Sequence, residues 1–319
     1  MMTTQTLEYL GQPQYQPQPN RRKRIFPYLP NADLVQAVNL AIALERPLFL
    51  QGEPGCGKTL LAPAIAYEFA QRYLEKGQTW PYFRWNIKST STAKQGCYIY
   101  DALGKLRDAQ LIGTPALDRF LKDEQRQQLI QRLSDPEGYL EWGAMGRALQ
   151  HQERRPILLI DEIDKADIDF PNDLLSVLEE SYFTVDETQK RVPAEEDGAN
   201  KPIVIITSNQ EQDLPEAFLR RCLFFYLPFP DDNHLKEIIK CHFPASKQEE
   251  IIEKAIAKFL DIRNQVPPYG KKPSTSELLD WLTVLIGQTD ALEKIDTIAQ
   301  NPAYAGILLK SKGERDRLS

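Results

Sequence analysis

The residues most able to do chemistry form a glycine-rich loop early in the chain. Gly52 to Thr59 read GEPGCGKT, which has the GxxxxGKT spacing of a phosphate-binding loop. The glycines let backbone NH groups turn inward around an anion, and the helix that follows adds unpaired NH groups and a positive dipole end. Lys58 adds a full charge, and the Thr59 hydroxyl can coordinate Mg²⁺. The predicted triphosphate site comprises Gly52, Glu53, Pro54, Gly55, Cys56, Gly57, Lys58, Thr59 and Leu60.

A second group of candidate residues follows an apolar run in the middle of the chain. Residues 157–160 read ILLI and are followed directly by Asp161 and Glu162. Next to a phosphate loop, two such carboxylates are typical of a site for magnesium and for the water that attacks a phosphate. We expect Asp161 to hold Mg²⁺, mostly through water, and Glu162 to orient or deprotonate the attacking water. A buried strand that ends in an acidic turn is the alternative, and the phosphate loop argues against it.

Polar and charged residues that follow two later segments of the chain complete the set of candidate site residues. Asn209 follows the apolar residues 203–208, at the edge of an α/β sheet where ligands bind. Its amide could hydrogen-bond the attacking water or the terminal phosphate, or it could be an ordinary turn residue. Arg220 and Arg221 follow a predicted short helix at 215–219. They could form surface ion pairs, or one could reach the terminal phosphate on a neighbouring subunit and stabilise the transition state.

These candidates need a sheet that brings strand ends together. Short runs rich in aliphatic or aromatic residues, separated by helical or polar stretches, predict strands. The predicted strands are Leu48–Gln51, Tyr82–Ile87, Ile157–Ile160, Ile203–Thr207 and Leu223–Leu227. Such spacing indicates an α/β fold, with a parallel five-stranded sheet flanked by helices. After Pro230 the strand signals stop, which predicts an α/β core at 27–230 and a small helical lid at 231–319.

Helical periodicity and turn residues predict the remaining elements. Asn31 is expected to cap a first helix that ends before Pro47. Polar turns predict two β-hairpins, one at 95–110 around Gly104 and one at 182–192. Further helices are predicted at 117–133, 142–150, 248–264 and 276–287.

The composition excludes several classes of protein. The chain has 319 residues, of which 42% are hydrophobic and 26% charged, and this suits a globular protein rather than a disordered one. A formal net charge of −6 argues against a protein whose whole surface attracts nucleic acids or anionic membranes. We expect a cytoplasmic protein, since no apolar stretch is long enough for a membrane span and no signal-sequence pattern is present. The cysteines lack zinc-binding spacing and fit a reducing compartment; they are Cys56, Cys97, Cys222 and Cys241.

The N-terminal residues 1–26 are predicted to be a flexible tail. Residues 11–20, GQPQYQPQPN, are rich in glutamine and proline, which favours a segment that does not pack. A basic run from Arg21 to Arg24 follows. This run could be solvated, or it could be a basic arm that docks on a partner.

These motifs, in the order in which they occur along the chain, resemble those of the AAA+ ATPases. Their detailed sequences resemble those of the MoxR branch. The matching segments read QGEPGCGKT, LLIDEIDKAD, FPNDLLSVLEE, IVIITSNQ and LPEAFLRRC, and the resemblance covers residues 27–288. It implies a P-loop NTPase core in which the phosphate loop is the Walker A motif. It also implies that Asp161 and Glu162 are the Walker B pair and that Asn209 is sensor 1.

The resemblance extends to the subunit interface and the lid. It implies that Arg221, with Arg220 beside it, is the arginine finger, and that both predicted hairpins face the central pore of a ring. The lid departs from the pattern, because many MoxR-like ATPases have Ser-Pro-Arg there, with the arginine as sensor 2, whereas residues 271–277 read KKPSTSE. Lys271 or Lys272 could approach the phosphates instead, but lysine lacks the bidentate fork of arginine.

The implied function is Mg²⁺-dependent ATP hydrolysis by a homo-oligomeric ring, expected to be a hexamer, that remodels or activates a protein partner. Lys58 would hold the phosphates during the reaction. Many MoxR-like proteins act with a partner that bears a von Willebrand factor A domain, so such a client is a hypothesis. The alternative is a nucleotide-dependent oligomerisation switch with slow hydrolysis. The excess of acidic over basic residues argues against a nucleic-acid motor. GTP is disfavoured as the nucleotide because no NKxD motif follows a strand.

Overall fold

The computed structural model of the chain describes residues 7–19, 27–112, 123–193, 201–243, 248–267, 270–298 and 301–310. These residues form two compact units. The first unit is drawn from residues 1–39, 50–78 and 225–319, and the second from residues 40–49 and 79–224.

The strands confirm the predicted sheet. They are β1 (Leu48–Gln51), β2 (Tyr82–Asn86), β3 (Tyr98–Tyr100), β4 (Leu140–Trp142), β5 (Ile157–Asp161), β6 (Phe183–Val185), β7 (Lys190–Val192), β8 (Ile203–Ser208) and β9 (Leu223–Tyr226). The parallel five-stranded sheet has the order β2-β5-β8-β1-β9. In its register, Ile157 aligns with Tyr82 on one side and with Ile203 on the other. β5 and β8 are buried throughout, which explains their continuous apolar sequences.

The helices with predicted bounds are confirmed in their described parts, and the described residues form further helices that were not predicted. The helices are α1 (Ala32–Leu44), α2 (Lys58–Tyr73), α3 (Ala93–Cys97), α4 (Ala102–Ile112), α5 (Asp123–Ser134), α6 (Ala144–Gln150), α7 (Phe170–Glu180), α8 (Glu216–Leu219), α9 (Asp232–His242), α10 (Glu249–Gln265), α11 (Thr275–Leu285), α12 (Ala291–Asp296) and α13 (Pro302–Leu308). Asn31 caps α1, since its Oδ1 accepts a hydrogen bond of 2.8 Å from the backbone NH of Leu34. Residues 117–122 of one predicted helix lie outside the described residues. Among those that are described, no helix has the length and apolarity that a bilayer crossing requires.

One predicted hairpin is confirmed and the other is wrong. β6 and β7 pair antiparallel, as predicted for residues 182–192. Residues 95–110 instead contain the end of α3, then β3 and most of α4, and β3 pairs antiparallel with the distant β4. Gly104 makes no hairpin turn. It lies in the first turn of α4, where its NH donates to the Asp101 carboxylate at 2.8 Å and a Cβ atom would overlap that carboxylate.

The prediction of a flexible tail at residues 1–26 is wrong for residues 9–11 and for Gln16, which pack or hydrogen-bond to other parts of the chain. Tyr9 is fully buried, and its backbone exchanges two hydrogen bonds of 2.8 Å with the side chain of Asn39. The Glu68 carboxylate accepts the NH groups of Leu10 and Gly11 at 2.7 and 2.9 Å. Gln16 is buried as well. Side chains of the first unit therefore satisfy the backbone of a segment whose composition alone suggests a solvated tail. Arg21 to Arg24 lie outside the described residues.

Each unit has its own apolar core. In the first unit, α9 to α13 pack around the fully buried Phe259 and Trp281. In the second unit, side chains of β5 and β8 pack with those of α6 and α7. After β9 the described residues contain helices and no strands, as the sequence predicted. The domain boundaries near residues 26 and 230 stay predictions.

Candidate functional site

In the first unit, a glycine-rich turn connects β1 to α2. Gly55 and Gly57 have φ angles of 74° and 95°, in the left-handed region that favours glycine. A Cβ atom at Gly55 would also overlap the side chain of Ser274. The turn leads directly into the N-terminal end of α2 at Lys58. It therefore has the strand-loop-helix setting in which backbone NH groups and a helix dipole favour a bound phosphate.

Lys58 is held within this loop. Its side chain is buried, and Nζ donates hydrogen bonds to the carbonyl oxygens of Gly52 and Glu53 at 2.7 and 2.8 Å. The ammonium group therefore lies among the loop residues, where a triphosphate would compete with the two carbonyls for it. Cys56 lies nearby, and burial raises the pKa of its thiol while the charge of Lys58 opposes that rise.

In the second unit, Asp161 ends β5 and is almost fully buried. Its Oδ1 accepts a hydrogen bond from the Thr207 hydroxyl at 2.7 Å, and its Oδ2 pairs with Nη2 of Arg84 at 2.6 Å. The carboxylate is therefore fixed by one neutral donor and one cation. Neither partner was predicted from the sequence, although Arg84 is the one charged residue of β2.

Glu162 and Asn209 contact each other, as expected if both act on one water. Nδ2 of Asn209 donates to Oε1 of Glu162 at 3.3 Å. Lys165 donates to the other carboxylate oxygen. The backbone at Glu162 has a φ of 61°, and its NH donates to the Thr207 hydroxyl at 2.9 Å. The Thr207 hydroxyl thus contacts both the Asp161 side chain and the Glu162 backbone.

Asp164 fixes the turn that carries Asn209, and it is not among the site residues predicted from the sequence. The side chain is buried, and its Oδ2 accepts the NH groups of Asn209 and Glu211, both at 2.9 Å. Oδ1 is buried without a hydrogen-bond partner. The spacing DEID, with a third carboxylate three residues after Asp161, is the signal that could have identified it.

Arg220 and Arg221 form ion pairs within the second unit. Nε of Arg221 pairs with Glu179, and its Nη1 donates to the carbonyl of Ala217 at 2.9 Å. Arg220 pairs with Glu216 and is the more exposed of the two. Asp161, Glu162 and Asn209 therefore share one hydrogen-bonded network, whereas Arg221 belongs to a separate pair with Glu179. The surface ion pair of Arg221 is therefore observed, and its role as an arginine finger stays a prediction.

The residues predicted to hold Mg²⁺ have suitable donor chemistry. Mg²⁺ prefers oxygen ligands and is usually bound by one or two carboxylates together with phosphates and water. Asp161 supplies a fixed carboxylate that already carries a cationic partner, Arg84, and Thr59 supplies a hydroxyl. In the described part of the chain, no cluster of three or more His, Cys, Asp or Glu side chains could form an all-protein metal site. Lys271 and Lys272 are exposed, and their role stays a prediction.

One solved structure and one protein-family model are similar to this chain. Among solved structures, the chain is similar to NtrX from Brucella abortus in complex with ATP, with 17% sequence identity and a TM-score of 0.35. The match covers 82% of this chain and 48% of the NtrX chain, so this chain spans about half the length of that protein. No curated protein matches the sequence. The model of the ATPase family associated with various cellular activities (AAA) matches residues 48–228, more than half of the chain. The chain therefore belongs to the AAA family of ATPases.

Proposed function

We propose that this chain binds Mg²⁺-ATP and hydrolyses ATP. The observation that carries the proposal is the contact between Glu162 and Asn209 beside a fixed Asp161, in an AAA-family chain that also has a phosphate loop. A carboxylate and an amide that share a hydrogen bond can together orient a water molecule. Turnover that depends on both ATP and Mg²⁺ would support the proposal, and tight ATP binding without any turnover would contradict it.

Each residue has a stated role in this reaction. Backbone NH groups of residues 52–60 and Nζ of Lys58 bind the β- and γ-phosphates. Thr59 and Asp161 would hold Mg²⁺, which offsets phosphate charge when it is bound. Glu162 accepts a proton from the attacking water, and Asn209 orients that water.

Asp164 supports this chemistry as a positioning residue. Asp164→Ala leaves the NH groups of Asn209 and Glu211 without their acceptor, so we expect the free energy of unfolding to fall by about 2 kcal/mol or more. ATP turnover should fall more than ATP affinity, because the backbone NH groups that Asp164 binds belong to the turn of Asn209 and not to the phosphate loop. Denaturant unfolding, ATP titration and steady-state kinetics measure the three quantities.

A matched control is available for this substitution. Asp169→Ala removes an exposed carboxylate at the start of α7 that makes no capping hydrogen bond, so it should lower stability by less than about 1 kcal/mol, through the helix dipole, and leave turnover unchanged. Asp164→Asn keeps one oxygen acceptor and should lie between the control and the alanine variant. Equal losses of turnover and ATP affinity in Asp164→Ala would contradict a positioning role for Asn209.

We further propose that the active form is a homo-oligomeric MoxR-like ring, expected to be a hexamer, that acts on a protein client. A partner with a von Willebrand factor A domain is the hypothesis for that client. Family membership and the surface location of Arg221 support a site that a neighbouring subunit completes. The molar mass in solution, measured with and without a slowly hydrolysed ATP analogue, tests assembly. Nucleotide-driven assembly with very slow turnover that no partner accelerates would favour the oligomerisation switch.

Arg221→Ala tests whether one subunit completes the site of the next. The variant should bind ATP normally and lose most turnover, because an arginine finger contributes about 10³- to 10⁵-fold to kcat. Mixing it with Lys58→Ala should restore measurable turnover, since the Lys58→Ala subunit still supplies Arg221 to an intact neighbouring loop. Arg220→Ala, which removes the more exposed arginine, is the control and should retain turnover. Mixed rings of confirmed mass that stay inactive would contradict action across subunits.

A further inference from the structure

Arg263 is an unusually buried arginine in the first unit. It lies on α10 with 7% of its surface exposed, and its guanidinium group stacks on the Phe229 ring at 3.6 Å from the ring centroid. Buried arginines are rare unless their charge is paired, because desolvation of the cation is costly. The identity of the pairing partner therefore indicates what this residue does.

The partner of Arg263 is an acidic residue of the phosphate loop. Nη2 forms an ion pair with the Glu53 carboxylate, and Nη1 donates to the carbonyl of Pro273 at 2.6 Å. The guanidinium group thus joins the loop to the segment that precedes α11. A planar, stacked guanidinium with two fixed acceptors has little freedom to move.

The same segment touches the loop at a second position. Ser274 begins α11 in a capping box with Glu277, and its side chain occupies the space that a Cβ atom at Gly55 would need. Glu53 and Gly55 are therefore both held by residues of the helical part of this unit. Lys58, the first residue of α2, also contacts this loop, because its Nζ donates to the Glu53 carbonyl at 2.8 Å.

Glu53 also carries a charge that opposes the proposed ligand. It is a partly buried carboxylate within a loop whose expected ligand is a polyanion, and like charges repel each other. The guanidinium group of Arg263 neutralises this carboxylate and fixes its direction.

We propose that Arg263 is a positioning residue of the phosphate loop, which acts through Glu53 by neutralising it and by holding the loop in its binding shape. This inference rests on the proposed nucleotide site, and it assigns Arg263 an effect on ATP affinity without contact with the phosphates. Arg263 is also a cation of the predicted lid that contacts the phosphate loop, and its position differs from those of Lys271 and Lys272.

The test is a double-mutant cycle on the full chain, with ATP as the probe. Arg263→Met should raise the Kd for ATP at least about tenfold, because it leaves the Glu53 charge unpaired in the loop. Glu53→Gln alone should lower the Kd, because it removes a negative charge from the loop that binds a polyanion. The double variant should bind ATP close to the wild-type level, because its loop has no carboxylate at residue 53 to neutralise. In steady-state kinetics the KM of Arg263→Met should rise together with its Kd for ATP, while kcat at saturating ATP changes less than about threefold.

Two further variants separate positioning from general stability. Arg263→Lys retains the charge but loses the planar fork and the stacking, so its Kd should lie between those of the wild type and Arg263→Met. Lys254→Met removes an exposed cation from the same helix, where it pairs with Asp296, and should leave the Kd unchanged. If Arg263→Met is poorly folded, Arg263→Lys, Glu53→Gln and the double variant of these two still complete a double-mutant cycle.

Amide hydrogen exchange in the nucleotide-free chain gives a readout that does not depend on ATP binding. Exchange at residues 53–58 should be faster in Arg263→Met than in Lys254→Met. Unchanged exchange would overturn the proposal, even if the wild type proved not to bind ATP at all. A double variant that binds ATP as weakly as Arg263→Met would also overturn it, because Arg263 would then act on the phosphates directly.

Discussion

Glu162→Gln is expected to stop ATP turnover while ATP binding stays intact. The glutamine side chain keeps the size of glutamate and can still contact Asn209, but it cannot accept a proton from the attacking water. A general base contributes about 10²- to 10⁴-fold to a reaction, so kcat should fall by at least about 100-fold. Phosphate release at saturating Mg²⁺-ATP measures kcat, and titration with ATP measures the Kd. If the ring forms as proposed, the variant should hold it in the ATP-bound form.

Glu153→Gln is the matched control for this prediction. It makes the same chemical change at an exposed residue in the loop before β5, so it should leave kcat and Kd at wild-type values. Turnover in Glu162→Gln within about threefold of the wild type would remove Glu162 from its role as base. A large rise in the Kd with little change in kcat would show that Glu162 acts in binding.

Lys58→Ala should abolish measurable ATP binding. The whole lysine side chain, with its ammonium group, is replaced by a methyl group, so the phosphates lose a charge-assisted hydrogen bond. A hydrogen bond to a charged group contributes about 1.5–3 kcal/mol, and 3 kcal/mol corresponds to a factor of about 100 in the Kd. Titration with a fluorescent ATP analogue measures the loss directly. Stabilisation by ATP gives a second measurement, because a bound ligand raises the free energy of unfolding in proportion to the logarithm of its concentration over the Kd.

The control for Lys58→Ala must separate loss of binding from loss of structure. Lys58 holds the carbonyls of Gly52 and Glu53, so thermal unfolding without nucleotide should be compared first. Lys76→Ala removes an exposed lysine beyond α2 in the same unit and should change neither stability nor ATP binding. An affinity for ATP near the wild-type value in a folded Lys58→Ala variant would contradict the assigned role of the loop.

Local features of the fold could be predicted because their causes are local. The phosphate loop needs glycine at fixed positions, and the two glycines with left-handed φ angles, Gly55 and Gly57, are visible in the sequence. The buried strands β5 and β8 are continuous apolar runs, so their bounds were predicted within one residue. Their shared edge follows from the parallel fold, which is why Glu162 and Asn209 could be expected to meet.

Features that depend on distant partners could not be predicted in this way. β3 pairs with β4, and the intervening segment carries no pattern that selects this pairing over a hairpin. The buried position of Tyr9 depends on Asn39 and Glu68, whose polar side chains look like surface residues in the sequence. Arg263 is likewise one charged residue among several on an amphipathic helix. Only the fold reveals that its side chain meets Glu53.

The left-handed backbone at Glu162 lowers the stability of the acidic turn. Glutamate is disfavoured in that conformation by about 1–2 kcal/mol, and asparagine or glycine would fit it more easily. Four other non-glycine residues in the described part of the chain have a positive φ, Glu45 among them, so this backbone alone does not mark a residue that does chemistry. Glu162→Gly would relieve the strain but remove the carboxylate that we propose as the base, so resistance to unfolding and ATP turnover should change in opposite directions at this residue.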